Sequence, residues 1–331
     1  MLETPSDLDH RVSDRLWAIV LAGGQGVRLR PLVRLLYGDE RPKQYATLIG
    51  SKSLLLLTLE RAALGVAPER TVVVTSRGQE SYFAGELENG TRATVLVQPT
   101  DRGTAAGILL PVHWVRARDS KAIVVVLPSD HFIENDPLFM RHIRELAVMV
   151  SRQPERIVLL GAPATDPETE YGWIEPADPS RPLQWTTSGP VSRVRRFWEK
   201  PTAEAAQACL EKSCLWNTLV MVARASTLAE AGRLALPEFH DDLTLVPLLA
   251  DHERISPALQ RAYDRAPAAS FSRSVLECYP SLLAVSRMPA MMWSDLGTPE
   301  RVIRCLKRLN AELPWLTGVG SLNNQAKAPV P

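Results

Sequence analysis

A chain of 331 residues, 45% hydrophobic and 23% charged, has an ordinary globular make-up and is long enough for one large α/β domain or two smaller ones. A net charge of +1 argues against the broad basic field of a nucleic-acid or membrane-surface binder, and no apolar run approaches the roughly 20 residues that span a bilayer. Residues 1–14 lack the apolar core of a secretory leader and read as a flexible extension, while Cys209, Cys214, Cys278 and Cys305 form no Cys-x-x-Cys pair, so reduced thiols in a cytoplasmic protein are expected.

The unbroken apolar run at 16–22 predicts a strand buried on both faces of a parallel sheet. Gly23, Gly24 and Gly26 follow at once, then five cations (Arg28, Arg30, Arg34, Arg41, Lys43) against two acids (Asp39, Glu40). The positive charge of a nearly neutral chain is thus concentrated beside a glycine turn at a strand end, where open α/β sheets hold phosphates. Neither common phosphate loop matches. There is no Gly-Lys-Ser/Thr ending, and Leu29 stands where a dinucleotide fingerprint needs its third glycine. Pro31 interrupts, and no helical period is expected before about Leu54.

Further on, strands are expected at 71–75, 93–97, 122–127 and 156–160, alternating with helices at 54–64, 79–87, 103–118 and 138–150. That rhythm implies a parallel sheet with right-handed crossovers. Beyond about residue 161 it changes. Residues 163–189 read mostly as loop around a strand at 171–175, followed by a strand at 191–198 and a helix at 202–211 capped by Thr202. A strand at 215–223 leads to helices from 226 to about 252, strands at 282–285 and 291–293, and a helix from Pro299 to about Leu309 capped by Thr298. The fold expected is α/β, a Rossmann-like mixed, mainly parallel sheet flanked by helices. Residues 15–310 would form one domain, divided into halves at 161/162, with a tail over 311–331.

Two aspartates stand just past strands: Asp130 in Pro128-Ser129-Asp130-His131 and Asp295 in Trp293-Ser294-Asp295-Leu296-Gly297. Converging at one sheet edge, they would hold a hard cation such as Mg²⁺ together with phosphate oxygens. Lys200, in Glu199-Lys200-Pro201, suits a monoester phosphate, and Glu199 suits sugar hydroxyls. Gly172, between Tyr171 and Trp173, admits a ligand to the backbone, and Asn217 beside Trp216 supplies an amide that both donates and accepts.

Taken in order, these motifs resemble the nucleotide-sugar pyrophosphorylase family, from the signature loop at 22–32 through Arg41-Pro42-Lys43-Gln44 to Trp293-Ser294-Asp295-Leu296-Gly297. The forms at Pro42–Gln44, Asp130-His131, Trp216-Asn217 and 293–297 are most similar to mannose-1-phosphate guanylyltransferases, as is the segment from Arg102 to Ala106. The resemblance implies that Ala22, Gly23, Gly24, Gly26, Gln98, Thr104 and Ser129 hold the nucleotide. It implies that Arg28 and Lys43 bind the triphosphate, that Asp130 and Asp295 coordinate Mg²⁺, and that Gly172, Glu199, Lys200 and Asn217 hold the sugar phosphate. The implied partners are a nucleoside triphosphate, GTP first, and a hexose-1-phosphate, with no nucleic acid or membrane and with a homodimer left open. Val27, Arg30, Gly103, Leu219 and Ser272 depart from the guanylyl pattern: Leu219 replaces a glycine and Ser272 an aspartate. These departures keep two alternatives open, another hexose or base and a catalytically silent nucleotide-sugar-binding regulatory subunit.

Overall fold

The run after Arg15 forms strand β1 (Leu16–Leu21), paired in parallel with β2 (Thr71–Ser76) on one side and β4 (Ile123–Pro128) on the other. The computed structural model describes residues 12–83, 92–178, 180–245 and 256–311. Side chains alternate along β1 as a pleated strand requires: Trp17 and Ile19 join the apolar core on one face, Leu16 and Ala18 the core on the other.

The remaining main-sheet strands are β3 (Thr94–Gln98), β6 (Ile157–Pro163), β7 (Gly172–Pro176), β8 (Gln184–Thr186), β9 (Gly189–Glu199), β10 (Leu215–Arg224) and β11 (Leu283–Arg287). Their order is β3-β2-β1-β4-β10-β6-β11-β9-β7, with β8 beside β9. The parallel sheet expected from the strand–helix rhythm holds from β3 to β4 and again between β6 and β11. In the second half β10 runs antiparallel to both β4 and β6, and β9 antiparallel to β11 and β7. There the strands follow one another through loops or short helices, which do not force a parallel return.

Helix α3 (Gly103–Arg118) is buried on nearly every side between the sheet and α6 (Ala225–Ala235), which explains its lack of a polar face. Gly232 makes this contact possible, since a Cβ there would lie 2.4 Å from Leu109 Cδ2. Helix α4 (Asp136–Arg152) covers the opposite face, its Asn135 cap accepting from Leu138 N–H at 3.0 Å. The other helices are α2 (Leu54–Ala63), α5 (Ala203–Glu211), α7 (Pro237–Leu245), α8 (Pro257–Arg265) and α9 (Pro299–Arg308), with α5 and α9 capped by Thr202 and Thr298 as expected.

Several expectations need correction. A helix, α1 (Arg30–Tyr37), lies inside the basic loop that was expected to be irregular before Leu54. Pro31 starts it rather than interrupting it, because a first-turn proline loses no hydrogen bond, and Leu32 and Val33 are buried. At 79–87 the described part is a 3₁₀ turn, Glu80–Tyr82, and the rest lies outside the described residues. The segment 163–189 contains the extra strand β8, and α8 and the short helix Ser272–Leu276 had no counterpart in the expectation. The helices expected to about 252 are described as far as Leu245. Of the terminal extension and tail only residues 12–14 and Ala311 are described, and Val12 is buried in the core.

Candidate active site

The chain passes from β1 outward to β2 and β3 before returning to β4, so a crevice opens between the ends of β1 and β4. The glycine turn fills the first position there. A Cβ on Gly23 would lie 2.7 Å from Gln98 Nε2, and one on Gly26, at φ +57°, would lie 2.8 Å from the Lys43 backbone nitrogen. Gly24 faces open space. The turn's acceptors are already paired: Gln44 Nε2 donates to Ala22 and Gly24 carbonyls at 2.6 and 2.8 Å, and the Tyr45 hydroxyl donates to Ala22 at 2.9 Å. Ser76 Oγ donates to Gly23 at 3.1 Å and Ser129 Oγ to Leu21 at 2.6 Å. Ala22 and Ser129 are therefore buried braces beneath the turn.

Beside it, Gly23, Gly24, Gln98, Asp101, Gly103, Thr104 and Gly107 border an open cleft of about 520 Å³. Gly103, at φ +79°, opens α3 where a Cβ would lie 2.4 Å from the Ala269 carbonyl. Ala105 N–H donates to that carbonyl at 3.0 Å, and Phe271 N–H to Thr104 Oγ1 at 2.9 Å. This stitching brings Ser270 and Ser272 to the wall of a second cleft, of about 560 Å³, which Thr104 also lines.

Strand register assembles the second cleft. Gly172 on β7 pairs with Glu199 on β9, and Trp173 pairs with Trp216 on β10, which sets Asn217 alongside. A Cβ on Gly172 would lie 3.0 Å from Glu199 Oε2 and 3.1 Å from Asn217 Cβ. Burial raises the Glu199 carboxyl above its usual range, against the pull of Lys200. Leu219 borders the same cleft at φ +59°, in a bulge of β10 where its N–H donates to Asn217 Oδ1 at 3.0 Å. Lys200, at φ +51°, stands at the rim with Nζ 3.2 Å from Glu170 Oε2.

Asp295 lines the second cleft, and Asp130 lies close to it. Phe132–Ile133 (β5) and Trp293–Ser294 (β12) pair as an antiparallel ribbon, Ser294 opposite Phe132, which carries Asp130 and Asp295 to the same place. Lys43 joins them: its Nζ is 3.1 Å from Asp130 Oδ2 and donates to the Asp295 carbonyl oxygen at 2.6 Å. Arg28 Nη2 reaches Asp295 Oδ2 at 3.4 Å. Burial pushes the Asp130 and Asp295 carboxyls up, but Lys43 and neighbouring donors more than reverse this, holding Asp295 down at about 2. Burial also lowers His131, whose Nε2 is 3.5 Å from Asp130 Oδ1.

Four contributors had not been singled out from the sequence. The Tyr171 hydroxyl donates to Asp295 Oδ1 at 2.7 Å, and Arg301 Nη1 to the same oxygen at 2.8 Å while also pairing with Glu168. Gln44 locks the glycine turn as described. Arg301 had a legible signal, lying in the first turn of a helix opened just after Asp295, whereas nothing marked Glu168.

Among the described residues no group of three or more His, Cys, Asp or Glu side chains is gathered for a metal ion. Two carboxylates are nevertheless the supply Mg²⁺ takes when phosphate oxygens complete its shell. Asp295 Oδ1 is occupied by Tyr171, Arg301 and the Gly297 N–H, but among the described residues Oδ2 has only the long contact to Arg28. Asp130 is partly exposed beside it, so the donor set fits.

The model of the family described as nucleotidyl transferase matches residues 17–312. The chain belongs to the nucleotidyl transferase family. Within it, mannose-1-phosphate guanylyltransferase 2 of Escherichia coli O157:H7 is 29% identical over 290 residues, 85% of this chain and 58% of that protein. The alginate biosynthesis protein AlgA of Pseudomonas syringae pv. tomato is 31% identical over 268 residues, 79% of this chain and 50% of its own. The chain thus spans about half the length of the curated relatives it matches. A crystal structure described as mannose-1-phosphate geranyltransferase from Thermus thermophilus superposes with a TM-score of 0.73 at 32% identity, covering 91% of this chain and 80% of that one. The fold is that of these nucleotidyl transferases, and no helix among the described residues is long and apolar enough to cross a membrane.

Proposed function

We propose that the protein is a sugar-1-phosphate nucleotidyltransferase, making GDP-mannose and pyrophosphate from GTP and mannose-1-phosphate. One observation carries the reading: Lys43 bridges the Asp130 carboxylate and the Asp295 carbonyl oxygen, Arg28 reaches the Asp295 carboxylate, and Asp295 lines the second cleft. The nucleotide would lie over Gly23, Gly24 and Gly26, its base toward Gln98, Gly103 and Thr104, with Ala22 and Ser129 bracing the turn from below. The sugar would lie on Gly172 and Asn217 with hydroxyls toward Glu199, its phosphate held by Lys200. Names of relatives carrying mannose-1-phosphate guanylyltransferase activity support the choice of base and sugar.

The reaction joins two anions, so repulsion is its central difficulty. A unit-charge pair at 4 Å is worth about 4 kcal/mol at an effective dielectric of 20. Arg28 and Lys43 would offset that charge as a sugar-phosphate oxygen attacks the α-phosphorus in line and pyrophosphate departs. Lys200 would fix the attacking phosphate, and positioning rather than a general base would supply most of the rate. Mg²⁺, held by Asp130 and Asp295, would add charge neutralisation across the triphosphate when bound. The protein would work in the cytoplasm, where nucleoside triphosphates are available.

Pyrophosphate release with each nucleoside triphosphate against a panel of hexose-1-phosphates tests the reading. GTP with mannose-1-phosphate should give the highest kcat/KM. Turnover of another pair would reassign base or sugar, and no turnover with tight GDP-mannose binding would favour a regulatory subunit.

A further inference from the structure

Glu170 is an exposed carboxylate at the rim of the second cleft. Its Oε2 lies 3.2 Å from Lys200 Nζ and 3.9 Å from Arg28 Nη1. One oxygen therefore faces two cations that come from opposite halves of the chain, the loop after β1 and the end of β9. The acid is also held in place. Its N–H donates to Glu168 Oε1 at 3.0 Å, Glu168 pairs with Arg301, and the Glu168 carbonyl accepts from the Trp173 indole at 2.7 Å. Through Arg301 this loop is fastened to Asp295 itself.

We propose that Glu170 is an exchangeable counter-ion for Arg28 and Lys200, the carboxylate that a substrate phosphate must displace. The proposal rests on the phosphate-binding roles assigned above to those two cations. Two like charges converging on one rim repel, and an anion between them offsets that repulsion. All three side chains are about half exposed, at 49 to 51%, so each ion pair is weak and readily broken. A phosphate with its larger charge replaces the carboxylate, and Glu170 then swings into solvent from an already exposed position. The displacement subtracts from phosphate affinity. It thereby selects for highly charged ligands and speeds the departure of pyrophosphate. Glu170 is a positioning residue that need not touch the reacting atoms.

Glu170→Gln tests this, with titration calorimetry of inorganic pyrophosphate and of mannose-1-phosphate beside steady-state kinetics. Both ligands should bind about three- to tenfold tighter, the scale set by removing two competing exposed ion pairs. KM for the sugar phosphate should fall with them, while Glu170→Asp, which keeps the charge, should stay near the parent. Unchanged or weaker binding of both ligands to the glutamine variant would overturn the proposal. Pyrophosphate binding needs no turnover, so the two readings fail separately. Tighter binding without turnover of any pair would sink the proposed reaction alone, and normal turnover with unaltered binding would sink the counter-ion alone.

Discussion

Leu219 shows how a single residue shapes the wall of the second cleft. A bulky side chain at φ +59° sits in a region that costs L-residues roughly 1–2 kcal/mol, and it does so on the wall of the second cleft. The sequence marked the position only as a leucine where relatives of similar pattern carry glycine, and the backbone conformation explains that preference. Leu219→Gly removes both the strain and the wall. Relative kcat/KM among hexose-1-phosphates should shift by about tenfold, in keeping with the value of a hydrophobic wall in substrate discrimination. KM for the nucleotide should stay within about twofold, since the first cleft is untouched. An unaltered ranking of sugars would show that the side chain does not border the sugar.

Among the elements, the strand ends were the most legible. Continuous apolar runs ending in Gly23 and in Ser129-Asp130 could be read directly, because burial on both faces leaves a strong compositional trace. The antiparallel half was not legible as such, since a buried strand looks alike whichever way its neighbour runs. Nor was the ribbon of Phe132–Ile133 with Trp293–Ser294: two-residue strands carry no period, yet this pairing is what unites the aspartates. Helix contacts were equally silent. Gly232 on α6 reads as a weak point in a helix until Leu109 of α3 is seen against it. Gly232→Ala should destabilise the fold by about 1–3 kcal/mol through overpacking, despite alanine's better helix propensity. Urea denaturation measures this, and a gain in stability would mean that the two helices part easily.

For the molecule as a whole, charge is placed where burial makes it matter. His113, 3% exposed, is driven down to about 3 by burial and then by His240, whose ring centroid lies 4.7 Å away, and Arg116. Burial also lowers His131, His142 and His240. A histidine whose folded pKa is depressed takes up its proton first in the unfolded chain, so stability is complete above about 6.5 and declines as pH falls toward 3. His113 alone should lower stability by about 2 kcal/mol between pH 7.5 and pH 5, and His113→Phe should flatten that slope. Below pH 4 the loss should continue through Asp295, which is held down at about 2. Equal denaturation midpoints at pH 7.5 and pH 5 would mean that these histidines are protonated in the folded protein.

The site draws residues from both halves of the chain, and its parts were recognisable singly: a glycine turn, a basic stretch and two aspartates. Their common location depends on Lys43 lying between Asp130 and Asp295, a contact between segments far apart in the chain. The most direct test is pyrophosphate release from GTP and mannose-1-phosphate by Asp295→Asn, with circular dichroism and GTP binding measured on the same sample. The variant should keep its fold and bind GTP within a few-fold of the parent, yet lose at least about a hundredfold in kcat. Near-normal turnover would contradict a reaction centred on the paired aspartates.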